Sequence, residues 1–456
     1  MSSSRQLRIV FAVHCGAGHV KGSLSLARRL RDRGHRVTYL GLAPARPLVE
    51  RNGFEFVPFA ADILSETAYQ PAAAPAAPWW RRRLAAERLF RSFLARCSNG
   101  DLDQLLQSCR PDLVICDTLI WYIGLRSLSL GIPTVSLSAS LHGPPNDRVP
   151  PGLSPRIPRT SGWGRIQVRL DWLRLRWHFF FTKTLASHLA GEFRHPTRMH
   201  FLTGEFKRLA RRSGIDCREN HTYWIGITGP HLMLPEIMLC PRSFEFPQAL
   251  VRDRRYVGGK VDLGRVEDTS LLERLDPKKP LVYCSLGSDA RFYPHSGHFF
   301  RTVVAAARLR SDWQWVLSVG SQQEADRYPE TGSKLLVTAW APQIAILQRA
   351  AAMVTHGGLN SILECVHFGV PMVVVPGLRD QPGNMARAVY HGIAAGAPMK
   401  DLKPDHLVHL IDRTMHSPEI RRALLLMRDA IAAENGLDAA IDLVESSASQ
   451  VCETTA

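Results

Sequence analysis

Twice along this chain, short apolar runs rich in β-branched residues alternate with glycine turns and amphipathic stretches, and few folds accommodate that pattern. Leu7–Val13 precedes Gly16-Ala17-Gly18 and a stretch carrying Leu24, Leu26, Ala27 and Leu30. Arg36–Leu42 and Phe54–Phe59 follow the helix-stopping Gly34 and Gly53, and Leu113–Cys116 and Thr134–Leu137 flank a helical stretch with Trp121, Ile123 and Leu128. The cycle resumes at Leu281–Ser285 and continues through Trp313–Val319, Leu335–Thr338, Met353–Thr355 and Met372–Val375. Strands that are apolar throughout, rather than alternating, belong to parallel sheets covered on both faces. The predicted class is therefore α/β, with two doubly wound parallel-sheet domains facing across a cleft. A length of 456 residues suits that number.

The reading divides the chain into residues 1–255 and 256–456, with the last helix packing back on the first domain. Tyr223–Pro247, irregular and rich in Pro and Gly, and the polar Asp262–Pro280 read as linker. Pro71–Pro78, ahead of Trp79-Trp80, reads as a flexible loop or lid. In sheets of this kind ligands bind beyond the carboxyl ends of strands, so functional residues are expected immediately after them.

Composition narrows the class of function. Hydrophobic residues at 45% and charged residues at 21% exclude extensive disorder, and no run reaches the roughly 18 apolar residues of a membrane span. The first apolar run, Ile9–Val13, is too short for the core of a signal peptide, and nine scattered cysteines form no C-x-x-C pair. The expectation is a cytoplasmic protein with reduced thiols and no structural zinc.

Lys and Arg outnumber Asp and Glu by 57 to 41, and the excess is regional: the stretch Arg148 to Arg212 carries a net +11. Within residues 156–183, arginines interleave with Trp163, Trp172, Trp177 and Phe179-Phe180-Phe181. Read as a helix, Ile166, Leu170, Leu173, Trp177 and Phe180 share a face, whereas Val168, Trp172, Leu175 and Phe179 lie beyond an Arg165/Arg169/Arg176 stripe. From Arg165 to Trp172 the residues also alternate as a strand would. Two readings stand: a packed helix with a solvated arginine edge, which carries more weight, and peripheral membrane contact. No nucleic-acid partner is expected.

The densest chemistry lies between Trp340 and Gln381. A strand ending at Thr355 runs through His356-Gly357-Gly358-Leu359-Asn360-Ser361 into an apolar helix, leaving free backbone N–H groups at a helix start, which is an anion site. Glycines admit a phosphate, and Asn360 and Ser361 can cap the helix or donate to a ligand. Trp340 can stack on a base, Glu364 can take ribose hydroxyls one turn into the helix, and Asp380-Gln381 follow the next strand.

This constellation resembles the UDP-glycosyltransferase superfamily, inverting enzymes of two-domain GT-B fold with the signature W-x-P-Q, H-x-G-x-N-S, E, G-V-P and D/E-Q. The matching residues are Trp340, Pro342, Gln343, His356, Gly358, Asn360, Ser361, Glu364, Gly369, Val370, Pro371, Asp380 and Gln381. The resemblance implies that Trp340 stacks on uracil, Gln343 borders base and ribose, and Glu364 takes the ribose hydroxyls. His356, Asn360 and Ser361 would hold the diphosphate, and Asp380 with Gln381 would read sugar hydroxyls. Val282–Ser288 is similar to the first strand and phosphate-facing loop of the donor domain, with Ser288 as the contact. For Ser361 and Asn384 a purely structural capping role stays open.

The segment from Gly16 to Leu40 resembles the same family, whose catalytic histidine stands in a G-H-V-x-P context. His19 matches it, and imidazole suits a base that takes a proton from a hydroxyl near neutral pH. Asp117 matches the acidic partner that orients the base. His14 remains an alternative base, Asp117 an alternative helix cap, and His35 reads as structural. Lys21-Gly22 stands where the family has x-Pro. The resemblance implies an inverting, metal-independent transferase needing no cofactor, with a UDP-sugar, glucose before a dTDP-deoxysugar, as co-substrate. The acceptor is expected to be a hydroxyl of a hydrophobic small molecule: a polyketide or macrolide, terpenoid, carotenoid or sterol. Asp101-Leu102-Asp103, the one D-x-D, is read as no metal site. Sugar-nucleotide epimerases of the same architecture would not need Trp340 and Gln343, and a non-catalytic homologue would have lost His19 or Asp117.

Overall fold

The computed structural model describes residues 5–62, 88, 92–93, 95–179, 203–216, 223–226, 229–247, 254–258, 261–264, 267–328 and 334–454. The Pro71–Pro78 loop, Trp79-Trp80, Phe180 and Phe181 lie outside them.

The first apolar runs become β1 (Arg8–Ala12), β2 (Arg36–Gly41), β3 (Glu55–Pro58), β4 (Leu113–Asp117) and β5 (Thr134–Ser138). An antiparallel hairpin, β6 (Tyr223–Gly226) and β7 (Gly229–Leu232), follows outside the main sheet. Next come β8 (Glu236–Met238) and β9 (Arg254–Tyr256). Seven strands then run parallel in the order β3-β2-β1-β4-β5-β8-β9. This corrects the expectation of an irregular linker over Tyr223–Pro247. Three residues such as Glu-Ile-Met show no period of their own; they become a strand because the open edge of β5 offers unpaired N–H and C=O groups.

The second sheet consists of β10 (Leu281–Ser285), β11 (Gln314–Ser318), β12 (Leu335–Thr338), β13 (Ala350–Thr355), β14 (Met372–Val374) and β15 (Ala394–Gly396). Its order is β12-β11-β10-β13-β14-β15, all parallel. In each sheet the strand order reverses direction once, between β1 and β4 and between β10 and β13. Loops leaving neighbouring strands at that point diverge to opposite faces and open a crevice, so these are the two places where such sheets hold ligands.

The two domains are joined by packing as well as by chain. Leu141, Met238 and Phe244 from the first half share one buried cluster with Leu359, Ile362 and Leu424 from the second. The loop before the helix Gly162–Phe179 meets the helix Gln381–Tyr390 where Gly383 N–H donates to Gly152 O at 2.9 Å. A Cβ at position 383 would stand 2.3 Å from that oxygen, so only glycine fits. Beside it, Arg387 donates to Glu245 at 2.7 Å in full burial and lies over the Phe246 ring. The helix Gly436–Thr454, last in the chain, returns to the first domain, where Leu437, Ala440, Ile441, Val444 and Ala448 join the core of β1, β4 and β5.

Gly162–Phe179 is helical throughout, not a strand. Its packed face is Val168 and Trp172, and the face carrying Ile166, Leu170, Leu173 and Trp177 looks outward. The packed helix therefore exposes an apolar stripe as well as its arginine edge.

Candidate functional site

β1 ends at Ala12, and after a four-residue loop the helix Ala17–Asp32 carries His19 in its first turn. Asp117 is the last residue of β4, which pairs directly with β1. The parallel register thus brings together two residues 98 apart in sequence, with His19 Nδ1 2.7 Å from Asp117 Oδ2. Asp117 is 1% exposed. Its Oδ1 accepts the Leu119 N–H at 2.9 Å and its Oδ2 the His14 N–H at 3.3 Å. It is therefore both the cap of the turn after β4 and the partner of His19; a carboxylate with two oxygens has room for both tasks.

The surroundings set the charge of the pair. Burial pulls the His19 pKa down, but the Asp117 charge and hydrogen bond outweigh it, and the result lies above the usual 6.5. Burial pushes Asp117 up; His19, His14 and the Leu119 N–H bring it below the ordinary carboxylate value. His19 also feels Arg379 and Asp380 of the opposite domain. The alternative base, His14, uses Nδ1 to accept the Gly16 N–H at 3.0 Å and lies with its ring 5.0 Å from that of His19. His35 accepts from Leu7 N–H and meets Glu445 of the last helix, a structural position.

Across the cleft, β13 ends at Thr355 and releases His356, Gly357 and Gly358 before the helix Leu359–Phe368. Gly358 is the N-cap residue, and a Cβ there would stand 2.5 Å from His356 Nε2. The imidazole thus lies flush against the backbone that opens toward the cleft. Burial takes its pKa down to about 4, against the opposing pull of Asp380 and Asp289, so it is neutral at pH 7. Ser288 lies exposed in the loop after β10, the strand next to β13.

Gln343 begins the helix Gln343–Leu347 and links three of the expected residues. It donates to Ser361 Oγ at 3.2 Å and to Glu364, and accepts from Tyr283 at 3.3 Å. Glu364 is buried on the same helix as Ser361, whereas Trp340 stands 62% exposed, its indole open to a stacking partner. Asn360 reaches into the other domain and donates to Gly18 O at 3.1 Å, one residue before His19. Lys21, Ser25, Asp262, Asn360 and Glu364 line a cavity between the domains.

Asp380 accepts from Asn384 at 3.2 Å, and Asn384 also donates to Gly357 O, tying the loop after β14 to the glycines after β13. Gln381 is buried; its oxygen accepts the Gly377 and Leu378 N–H groups at 2.8 and 2.9 Å, and its amide donates to Tyr293 at 2.7 Å. The structure thus places Gln381 behind Asp380 as a brace. Tyr293, stacked on His356 at 6.0 Å, and Tyr283 are site residues that sequence reasoning missed, as is the Arg379–Asp289 ion pair at 2.7 Å. No periodicity or motif marks them, because each acts on a residue at least 60 positions away.

Asp103 pairs with Arg126 and Asp101 with Arg96. Among the described residues no three His, Cys, Asp or Glu side chains converge as metal ligands would.

Residues 235–428 match the family described as UDP-glucoronosyl and UDP-glucosyl transferase. The chain is 27% identical to the oleandomycin glycosyltransferase of Streptomyces antibioticus, over 94% of this chain and 88% of that one. It is 24% identical to the zeaxanthin glucosyltransferase of Pantoea ananas, over 94% and 93%. Among solved structures, the glycotransferase of kitacinnamycin superposes with a TM-score of 0.66 at 23% identity, covering 97% of this chain and 99% of that one. That likeness establishes the two-domain GT-B fold.

Proposed function

Since the chain belongs to the UDP-glycosyltransferase superfamily and is a glycosyltransferase, we propose that it transfers glucose from a UDP donor to a hydroxyl of a lipophilic small molecule, with inversion and without metal or cofactor. The observation that carries this reading is the buried His19–Asp117 pair at the switch point of one sheet, bonded through Gly18 to the Asn360 that opens the anion site of the other. Relatives named for oleandomycin and zeaxanthin support an acceptor among macrolides, carotenoids and similarly apolar natural products.

With its Nδ1–H donated to Asp117, His19 is left with Nε2 as the acceptor that takes the proton of the attacking hydroxyl. Asp117 fixes that tautomer and steadies the imidazolium as it forms. Attack on the anomeric carbon, through a transition state of oxocarbenium character, expels UDP on the opposite face. The charge growing on UDP meets the neutral His356, Ser361 and the N–H groups of the helix start, donors already in place before the reaction. Trp340 would stack on the uracil and Glu364 would take the ribose hydroxyls. Asp380 would bind the hydroxyls of glucose, which favours glucose over deoxysugars. Cys15, Cys97, Cys109, Cys116, Cys240, Cys284 and Cys365 are free thiols, which supports a cytoplasmic site of action.

The test is a panel of hydrophobic alcohols incubated with UDP-glucose or a dTDP-sugar and read by mass. A glucosylated product with wild type, and none with His19→Ala although UDP still binds, is the expected result. Transfer only from the dTDP-sugar would overturn the donor assignment. Undiminished transfer by His19→Ala would remove the base.

A further inference from the structure

The helix Gly162–Phe179 has two apolar faces, one packed on the first domain and one exposed. Val168 and Trp172 are buried, and Trp172 Nε1 donates to Val149 O at 2.9 Å, which fixes the helix by its inner side. On the outer side Trp163, Ile166, Leu170, Leu173 and Trp177 recur every three or four residues and form one continuous stripe. These five are between 41% and 62% exposed. A stripe of large side chains left in water marks an interaction surface.

Its flanks are cationic. Arg165, Arg169, Arg174 and Arg176 are all exposed on this helix, with Arg156 just before it. Two carboxylates reach them: Asp147 pairs with Arg169, and Asp171, turned inward, pairs with Arg156 at 2.7 Å and lies 3.7 Å from Arg174. Five arginines against two acids leave the outward side positive.

We propose that this helix lies in the headgroup region of an anionic bilayer, with the stripe Trp163–Trp177 turned down into the acyl boundary. The charge decides the occupant. A second copy of the same face would set arginines against arginines, whereas anionic lipid accepts both the apolar stripe and its basic flanks. The two indoles stand about 21 Å apart along the axis, at about 1.5 Å per residue, and indole is at home at that depth. With four arginines among eighteen residues the helix lies on the surface and does not cross it; no described helix is long and apolar enough to span a membrane.

The position bears on the site. The segment holding the helix, Val149 to Ser154, is the one bonded to Gly383 in the helix that begins beside Asp380. A chain docked this way sets the edge of the cleft against lipid, where an apolar acceptor is concentrated. That consequence rests on the proposed transfer reaction; the docking itself does not.

The test is sedimentation of the full chain, without substrates, on vesicles of phosphatidylcholine alone or with about one-third phosphatidylglycerol, at ~0.1 M and ~1 M salt. Partition at least about tenfold stronger on the anionic vesicles, and weakened by salt, is expected. Leu170→Glu with Leu173→Glu should lower it at least about tenfold while leaving the urea midpoint unchanged. Arg165→Gln with Arg176→Gln should remove the preference for phosphatidylglycerol, and this pair decides the matter if the glutamate variant does not fold. Equal partition of wild type and the arginine variant on both vesicles would overturn the proposal, as would a dimer that Leu170→Glu dissociates. Vesicle binding that follows these variants in a chain with no transferase activity would uphold the docking and reject the reaction.

Discussion

At His19 and His356 burial meets different neighbours, and the two imidazoles titrate in opposite directions. Asp117 holds the His19 pKa above 6.5, so the free base, which the proposed reaction needs, appears only as pH rises through that higher value. The acid limb of kcat/KM should therefore have an apparent pKa above 6.5, belonging to the coupled pair, and Asp117→Asn should move it down. That variant should also lower kcat by about 10²–10⁴, the usual worth of a positioned general base. For stability, the raised His19 value means a contribution complete below 6.5 and lost as pH climbs through the folded pKa. The lowered Asp117 value means one present above about 3.8 and lost as pH falls through its folded pKa. His356, at about 4 in the folded chain, refuses a proton that the unfolded chain accepts from 6.5 downward. Its effect is a loss of stability between those values, which urea midpoints across the pH range would register. At the open Trp340, replacement by Ala should weaken UDP binding by about 1–3 kcal/mol in calorimetry, the typical value of one base stack.

The helix Gln381–Tyr390 shows what element-level packing adds. Gly383→Ala would force its Cβ against the Gly152 carbonyl and should cost about 1–3 kcal/mol in urea unfolding. Arg387→Ala would leave Glu245 buried and uncompensated, at about 3–5 kcal/mol, whereas Arg387→Met with Glu245→Gln should recover much of that loss. Strands β10 and β12 coincide with their sequence readings and most other long ones differ by a residue at an end, because a sheet buried on both faces writes unbroken apolar runs; β13 begins three residues before its reading, in the alanines Ala350–Ala352. β8, β9 and β15 have three residues each, including Glu236, Arg254 and Gly396, and carry no such signal; their strandedness comes from a neighbour's edge. The outward turn of Ile166 and Leu170 was equally hidden, since periodicity gives two faces without saying which one finds a partner. The site was more legible: His19, His356 and Asp380 follow strands, Asp117 ends one, and glycines announce a close approach of backbone. The bracing by Tyr283, Tyr293 and Gln381 depends on distances that only the fold creates.

On the scale of the whole molecule, the last helix belongs to the first core. Ile441 is fully buried against it, so Ile441→Glu should cost at least about 3 kcal/mol. Hydrogen exchange should show β1, β4 and β5 losing protection before β10 to β14. His35 and Glu445, 410 positions apart and 3.1 Å from each other, belong to the same seam. A polypeptide emerges from the ribosome in one direction, and domains close as soon as their parts are available. Here the part that seals the opening half is translated after the entire second sheet. The amino-terminal half must wait with an apolar flank open, so it is the first made and the last finished, and a chaperone has the longest time to act on it.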